Sequence, residues 1–425
     1  MFTKYNITHS MLMKRLAYLV LLSITVIGCS EEDVKIDIAN CTYSRTLPVL
    51  FINTEENKPI VSKEEYINAT YYLETFDLDE YEPIGSEAEQ LPMEIRGRGN
   101  FSWKKDKKPY RLKLGSKAAL LGMNKSKHFV LLAHVGAYSQ YLTETAAFKL
   151  GKEIGLAWTP EAEPIEVVIN NEYKGLYFLV ENIRVDDKRV DITEQDDNCT
   201  NADEITGGWL LEIDNYDDPD QIKFVNGSGY TMHITHKSPE TLSEEQEAYL
   251  RQQMKAIDDA VYEDDKNSTL WEKYIDIDAL TRYYIIQEIF CNGDAFAGSS
   301  YFYKNRGNDS KWIFGPLWDF GNSFEGGDRN FFYEKGKRPR CWIKEIAKYP
   351  RFQEYIRKVW NEFYPSKYEP IYAFIAEMAQ RCAEADKCDA KRWPQYNKGN
   401  SEDKKRWLTE VLQNRINFLN SEWSN

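Results

Sequence analysis

Near Ser243 the chain changes its hydrophobic period, and that switch limits it to a mixed architecture. Before it, short apolar runs with strand spacing stand between turn residues at 47–52, 71–75, 91–96, 109–114, 165–169, 175–180 and 208–214. Pro109-Tyr110-Arg111-Leu112-Lys113-Leu114 alternates apolar and basic residues, as a half-exposed strand does. After Ser243, the stretches Glu244 to Tyr262, Ile277 to Phe290, Phe352 to Phe363, Ile371 to Ala385 and Lys404 to Trp423 carry helical spacing. One helix interrupts the first half, Tyr138 to Ile154, stopped by Gly155. One hairpin interrupts the second, Tyr301 to Tyr303 and Lys311 to Leu317 around Asn305-Arg306-Gly307-Asn308. The tract 91–183 reads as two strands, a helix and two strands. The expected fold class is α+β and bilobal, with a β-rich N-terminal lobe carrying one main helix and a largely helical C-terminal lobe.

The start of the chain bears on compartment. Met13-Lys14-Arg15 is a basic n-region, and the apolar run Leu16 to Ile27 is shorter than the roughly 20 residues a spanning helix needs. Residues 1–28 are therefore expected to be a signal peptide, and Val26-Ile27-Gly28-Cys29 resembles a bacterial lipobox with Cys29 as the lipidated residue. Residues 29–45 then form the lipid-bearing tether, 46–190 the β-rich lobe and 191–425 the helical lobe. Ser30-Glu31-Glu32-Asp33 looks like a surface-export tag; its plainer reading is a solvated leader. The expected location is the bacterial cell envelope, as a surface-exposed outer-membrane lipoprotein that touches the membrane only through its lipid. Lys plus Arg (54) against Asp plus Glu (68) gives a net charge of −14, which argues against nucleic acid as a partner. The 11 Trp, 28 Tyr and 20 Phe supply either a large aromatic core or a stacking surface for sugars or nucleotides. Beyond Cys29, the cysteines Cys41, Cys199, Cys291, Cys341, Cys382 and Cys388 are even in number, so disulfides are possible, though no framework spacing appears. Cys382 and Cys388 are expected on one helix, pointing to different faces. No zinc spacing exists, and five histidines offer neither a histidine-rich metal site nor a serine-histidine-acid set.

Two carboxylates end apolar elements. Asp294 follows the 277–290 helix in Cys291-Asn292-Gly293-Asp294, and Asp319 follows a strand in Leu317-Trp318-Asp319-Phe320-Gly321. A helix, an Asp, a hairpin and an Asp-Phe-Gly is the order in which protein kinases set out their catalytic loop and metal-binding Asp. Carboxylate oxygens suit Mg²⁺, which takes one or two protein carboxylates and keeps sites for phosphate oxygens. Asp294 would orient or deprotonate an acceptor and Asp319 would hold the metal; two capping or turn aspartates are the plainer alternative. Gly97-Arg98-Gly99 between strands can bring backbone N–H groups to phosphates, with Arg96 and Arg98 adding charge, or can be a tight hairpin packed by Trp103. Lys113, fourteen residues past Gly99, stands where a kinase places the lysine that grips phosphates, and Lys108 and Arg111 compete for the role. Glu144 or Glu153 on the next helix can pair with that lysine. Glu181 ends the strand from which a kinase chain crosses between lobes and meets adenine. Glu212 and Asp214 share a strand face, toward the cleft or in a cross-strand salt bridge.

These residues, in order, resemble the CotH kinases, named for spore coat protein H. The resemblance rests on seven blocks: Arg96-Gly97-Arg98-Gly99-Asn100 with Trp103; Lys108-Pro109-Tyr110-Arg111-Leu112-Lys113-Leu114; Leu120-Leu121-Gly122-Met123; Tyr173-Lys174-Gly175-Leu176-Tyr177 through Glu181; Gly207-Gly208-Trp209-Leu210-Leu211-Glu212; Asn292-Gly293-Asp294; and Leu317-Trp318-Asp319-Phe320. It spans about residues 47–425. It implies an atypical protein-kinase-like fold that uses ATP and Mg²⁺ to phosphorylate secreted proteins, with Asp294 catalytic and Asp319 a metal ligand. On that basis Arg96, Gly97, Gly99, Arg111, Lys113 and Glu181 are the nucleotide-binding candidates, and Ser299, five residues after Asp294, takes the place of a kinase's metal-binding Asn. Gly321 stands where a second acidic residue often follows in the family. The expected activity is transfer of the ATP γ-phosphoryl to a Ser, Thr or Tyr hydroxyl of an extracellular or envelope protein. The alternatives are a catalytically inactive binding, adhesion or glycan-associated lipoprotein, and nucleotidyl transfer from the same metal residues.

Overall fold

Alternation in strands such as Leu91–Gly97 and Tyr110–Ala118 buries every second side chain, while Ala162–Ile169 and Glu172–Glu181 are buried on both faces along most of their length. In a computed structural model, residues 42–135, 140–217, 221–324, 331–335, 339–396 and 399–424 are described. All fall within one unit, Asn40–Asn425. The leader, Cys29, Cys41 and most of the tether lie outside the described residues.

Strands β1 (Val49–Thr54), β2 (Ile67–Glu74), β3 (Leu91–Gly97), β4 (Tyr110–Ala118), β5 (Ser126–Leu132), β6 (Ala162–Ile169) and β7 (Glu172–Glu181) pair in the order β1-β2-β3-β4-β5-β7-β6. The parallel pairing of β1 with β6 closes this sheet on itself. Its interior holds Leu50, Ile52, Ile95, Leu112, Phe129, Ile165, Tyr177 and Leu179. In β4, Tyr110, Leu112 and Leu114 are buried, while Arg111 and Lys113 between them face away from that interior. Outward-facing Val130, Leu132, Phe178 and Val180 pack instead with Leu142, Ala146 and Leu150 of helix α1 (Gln140–Ile154).

A second sheet runs β12-β11-β8-β10-β9, built from β8 (Trp209–Asp214), β9 (Ile222–Val225), β10 (Thr231–Ser238), β11 (Ser300–Lys304) and β12 (Ile313–Phe314). The helical part comprises α2 (Glu244–Val261), α3 (Ile277–Ile289), α4 (Phe332–Lys335), α5 (Ile343–Ile346), α6 (Pro350–Phe363), α7 (Ile371–Arg381), α8 (Ala383–Arg392) and α9 (Ser401–Trp423). Their starts are written locally. Ser243 and Gln246 form a capping box on α2, the Asp276 carboxylate accepts the Ala279 N–H at the start of α3, and Asn400 and Asp403 cap α9. Helix α6 buries Phe352, Ile356, Val359, Trp360 and Phe363 on one face, each worth about 1.5–3 kcal/mol. No helix among the described residues is long and apolar enough to cross a membrane.

The fold is thus mixed α+β, with three departures from the sequence reading. Strand β5 was not expected, so the tract 91–183 has three strands before its helix. The 301–317 hairpin is not separate, because β11 pairs with β8 across the Ser243 boundary. The 371–385 helix breaks at Cys382, where the backbone reaches ψ −6°, so Cys382 and Cys388 do not share one helix. Cys199, Cys291, Cys341, Cys382 and Cys388 are all free thiols. Helix α8 also straps the β6–β7 hairpin: Asp389 accepts from Lys107 Nζ at 2.7 Å and from the Leu176 N–H at 2.9 Å, and the Trp393 indole donates to the Lys174 carbonyl.

Candidate active site

Helix α3 is buried along most of its length, so the loop that leaves it is rigidly based. The Arg340 guanidinium donates to the carbonyls of Ala295 and Gly293, and the Tyr333 hydroxyl donates to that of Asn292. This places Asp294, 8% exposed, in a cleft wall. The second loop is pinned by aromatics. Phe320 packs edge-on to Phe148 of α1 and to Phe290 at the end of α3, and Trp318 stacks on Phe148 at 6.2 Å. Asp319 between them sits at φ 58°, a left-handed conformation rare for a non-glycine residue.

Two amides that the sequence reading did not single out lace these loops together. Asn292 donates to the Asp319 carbonyl at 3.1 Å and to Gln287 Oε1 at 3.0 Å, while its own Oδ1 accepts the Asp294 N–H at 3.1 Å. Asn322 Nδ2 donates to Asp294 Oδ2 at 2.5 Å. Ser299 Oγ donates to Asp319 Oδ2 at 3.1 Å, which brings the three sequence-chosen residues into one constellation. Burial, then the charges of Glu144 and Asp294, push the Asp319 carboxyl up to about 7, against the opposing pull of Arg98 and Ser299. Burial rather than any one neighbour is the larger cause of that shift. Asn292 enters the sequence reading only within the Asn292-Gly293-Asp294 block, without a role of its own, and Asn322 is marked in the sequence only by its closeness to Asp319.

Opposite lies the glycine turn. A Cβ on Gly97 would run into the Trp103 ring, and Gly99 adopts φ +79°, so the tight, Trp103-packed hairpin is the form present. Its backbone is not an open phosphate cradle at the first two positions, because the Gly97 N–H donates to the Ser62 carbonyl and the Arg98 N–H to that of Pro109. Positive charge comes from side chains instead. Arg96 and Arg111 are directly paired across β3 and β4, and Arg98 lies over the Trp318 ring at 5.5 Å. The buried Nε atoms of Arg96 and Arg111 have no hydrogen-bond partner among the described residues, and burial together with Arg98 and Arg96 lowers the Arg111 pKa. Three mutually repelling guanidiniums suit an anion with several charges.

Lys113 is not in that group. It faces Glu94 across the β3–β4 ladder, half-exposed, at 2.7 Å. In protein kinases the lysine stands on the third strand of the sheet and pairs with a helix glutamate. Counting from the strand before the turn, the third strand here is the unexpected β5, and Glu144 of α1 meets His134, just beyond β5, at 3.7 Å. Glu153 pairs with Lys149, and Lys108 donates to the Trp103 carbonyl, so neither belongs to the site. Glu181 is also displaced. Its side chain is fully buried, accepts the Glu161 N–H at 3.1 Å and lies 3.7 Å from Arg189, while the residues that follow it, Asn182 to Val185, reach a cleft. Glu212 meets both of its readings and Asp214 the cleft-facing one. They line the cleft, and Glu212 also bridges to Lys237 of β10 at 2.7 Å.

Asp294, Ser299, Asp319, Gly97, Gly99, Arg96, Arg98 and Arg111 all border one cleft of about 700 Å³. A second cleft of about 850 Å³, bordered by Lys113, His128 and Asn182, shares Arg96, Arg98, Arg111, Tyr301 and Trp318 with it. A family model described as CotH kinase protein matches residues 95–419, a span that starts just before the glycine turn and takes in both aspartate loops. This chain belongs to the CotH kinase family. Membership of the CotH kinases suggests a kinase-like enzyme. No curated protein matched the chain.

Proposed function

We propose that this CotH kinase family member transfers the γ-phosphoryl of ATP to a hydroxyl of an extracellular or envelope protein, while lipid on Cys29 holds it at the outer-membrane surface. The observation that carries the proposal is the single cleft in which Asp294 and Asp319 face Arg96, Arg98 and Arg111. In a bilobal layout the closed sheet and α1 form the nucleotide side, and the second sheet and the later helices form the catalytic side. The nucleoside occupies the second cleft and its phosphates run past the shared arginines.

Among the described residues no group of three or more His, Cys, Asp or Glu is disposed to hold a metal ion. Mg²⁺ does not require one, since one or two carboxylates with phosphate oxygens complete its shell. Asp294 and Asp319, two carboxylates bordering one cleft, fit such a cation, with Ser299 beside Asp319. Bound Mg²⁺ would neutralise charge on the β- and γ-phosphates. Asn322 fixes the Asp294 carboxylate, which orients the acceptor hydroxyl and takes its proton as the acceptor O–P bond forms and the β–γ bridging bond breaks. The three arginines hold the phosphate oxygens through charge-assisted hydrogen bonds.

Incubation of the protein with Mg²⁺ and ATP, read by intact mass, tests the proposal. One added phosphate, absent in Asp294→Asn and Asp319→Ala, is the expected outcome; an adduct that survives both substitutions would refute the assignment. An adenylate mass would keep the site and change the reaction. One observation favours a second reading, a nucleotide-binding shell without turnover: His134, not a lysine, stands opposite Glu144. Nucleotide binding with no mass gain on any offered protein would select it.

A further inference from the structure

The cleft contains a buried carboxylate to which the proposed chemistry gives no task. Glu144 on α1 is 6% exposed, and its Oε1 has no hydrogen-bond partner among the described residues. Its Oε2 lies 3.7 Å from His134 Nε2, longer than a hydrogen bond, and that ring nitrogen has no hydrogen-bond partner among the described residues either. His134 is held edge-on by Phe178 and Tyr141, with ring centroids at 5.3 and 6.4 Å, so aromatic packing rather than Glu144 sets its position. A carboxylate removed from water this completely needs a cation or several donors, and His134 supplies neither at bonding distance. Glu144 borders the same cleft as Asp294, Ser299 and Asp319. Its buried Oε1, without a partner among the described residues, therefore points to a cation held in that cleft.

Resting on the proposed Mg²⁺–ATP site, we infer that Glu144 is a direct ligand of the divalent cation and shares it with Asp319. Helix α1 then supplies a metal ligand at the place where a protein-kinase helix supplies the partner of a lysine. Two carboxylates from elements far apart in sequence, with phosphate oxygens and water, give the hard oxygen shell that Mg²⁺ or Mn²⁺ takes. Loading the cation would also tie α1 to the Asp319 loop.

The test measures binding, not turnover. Dissociation constants are determined for a non-hydrolysable ATP analogue, with Mn²⁺ and in EDTA, on the whole chain and on its Glu144→Gln, Asp319→Asn and His134→Asn variants. The expected result is a Mn²⁺-dependent gain in affinity that falls about tenfold or more in Glu144→Gln and in Asp319→Asn, and stays within about threefold in His134→Asn. A gain preserved in Glu144→Gln but lost in Asp319→Asn overturns the ligand assignment and leaves the cation site standing. No Mn²⁺ dependence in the unaltered chain, or none lost in Asp319→Asn, overturns the cation site and with it the proposed function. Should Glu144→Gln fail to fold, Fe²⁺-directed peroxide cleavage of the unaltered chain decides instead. Cuts beside both Glu144 and Asp319 are expected, and cuts beside Asp319 alone refute the inference.

Discussion

Replacing Asn292 by Ala should loosen both aspartate loops at once. The side chain is 1% exposed and makes three hydrogen bonds, to the Asp319 carbonyl, to Gln287 Oε1 and from the Asp294 N–H. Each such bond contributes a net 0.5–1.5 kcal/mol or so, and leaving buried partners unpaired adds to the loss, so about 3 kcal/mol of stability should go. Gln287 is fully buried, which prevents water from replacing the lost donor cheaply. Asn292→Asp sharpens the test, because it keeps the acceptor for the Asp294 N–H, loses both donors and places a second charge near Asp294. Equilibrium urea unfolding of the three proteins, followed by tryptophan fluorescence and paired with nucleotide affinity, reads the effect. A destabilisation below about 1 kcal/mol in Asn292→Ala would mean that the amide does not carry the loops, and the cross-tie would have to be abandoned.

Arg415→Met should cost about 3–5 kcal/mol, since it strands the fully buried Glu288 carboxylate 3.0 Å away; adding Glu288→Met should recover most of it in thermal melts. Gly97→Ala should destabilise by about 1–3 kcal/mol through the Trp103 ring, and Trp103→Leu in the same chain should reduce that penalty in denaturant titrations. His128 gives a pH dependence. Burial and the charges of Arg184 and Arg189 lower its pKa to about 4, below the roughly 6.5 of an unfolded chain. The unfolded state therefore binds the extra proton, and stability present above pH 6.5 or so is lost as pH falls toward about 4, by roughly 2 kcal/mol for this partly exposed ring. A His128→Asn variant with an equally steep acid limb would refute that.

Much of the fold was legible because strands with one buried face alternate, as β4 does, and because helices such as α2 announce themselves with capping residues. Strand β5 was hidden for the opposite reason. Phe129 to Leu132 are buried on both faces, so its apolar run has no period to detect. With that strand unread, Lys113 on β4 stands in the place of the kinase lysine, and His134 just beyond β5 has no role. Asp294 and Asp319 could be found because each follows a regular apolar element. The loss of the Gly97 N–H to Ser62 could not be, since that partner comes from a separate loop. The same holds for Glu181, whose inward turn depends on Glu161 and Arg189.

The lacing of the two loops bears on control. In protein kinases the packing of the Phe after the metal-binding Asp sets active and inactive states. Here Phe320 is 1% exposed between Phe148 and Phe290, and reversing it would break the Asn292 and Ser299 bonds to Asp319 together. A switch of that kind would therefore cost about 1–3 kcal/mol in those two bonds, beyond the exposure of Phe320. Compounds that trap an inverted loop would have to overcome that cost, and the timing of any reaction would favour the arrival of nucleotide and acceptor over a flip of Phe320.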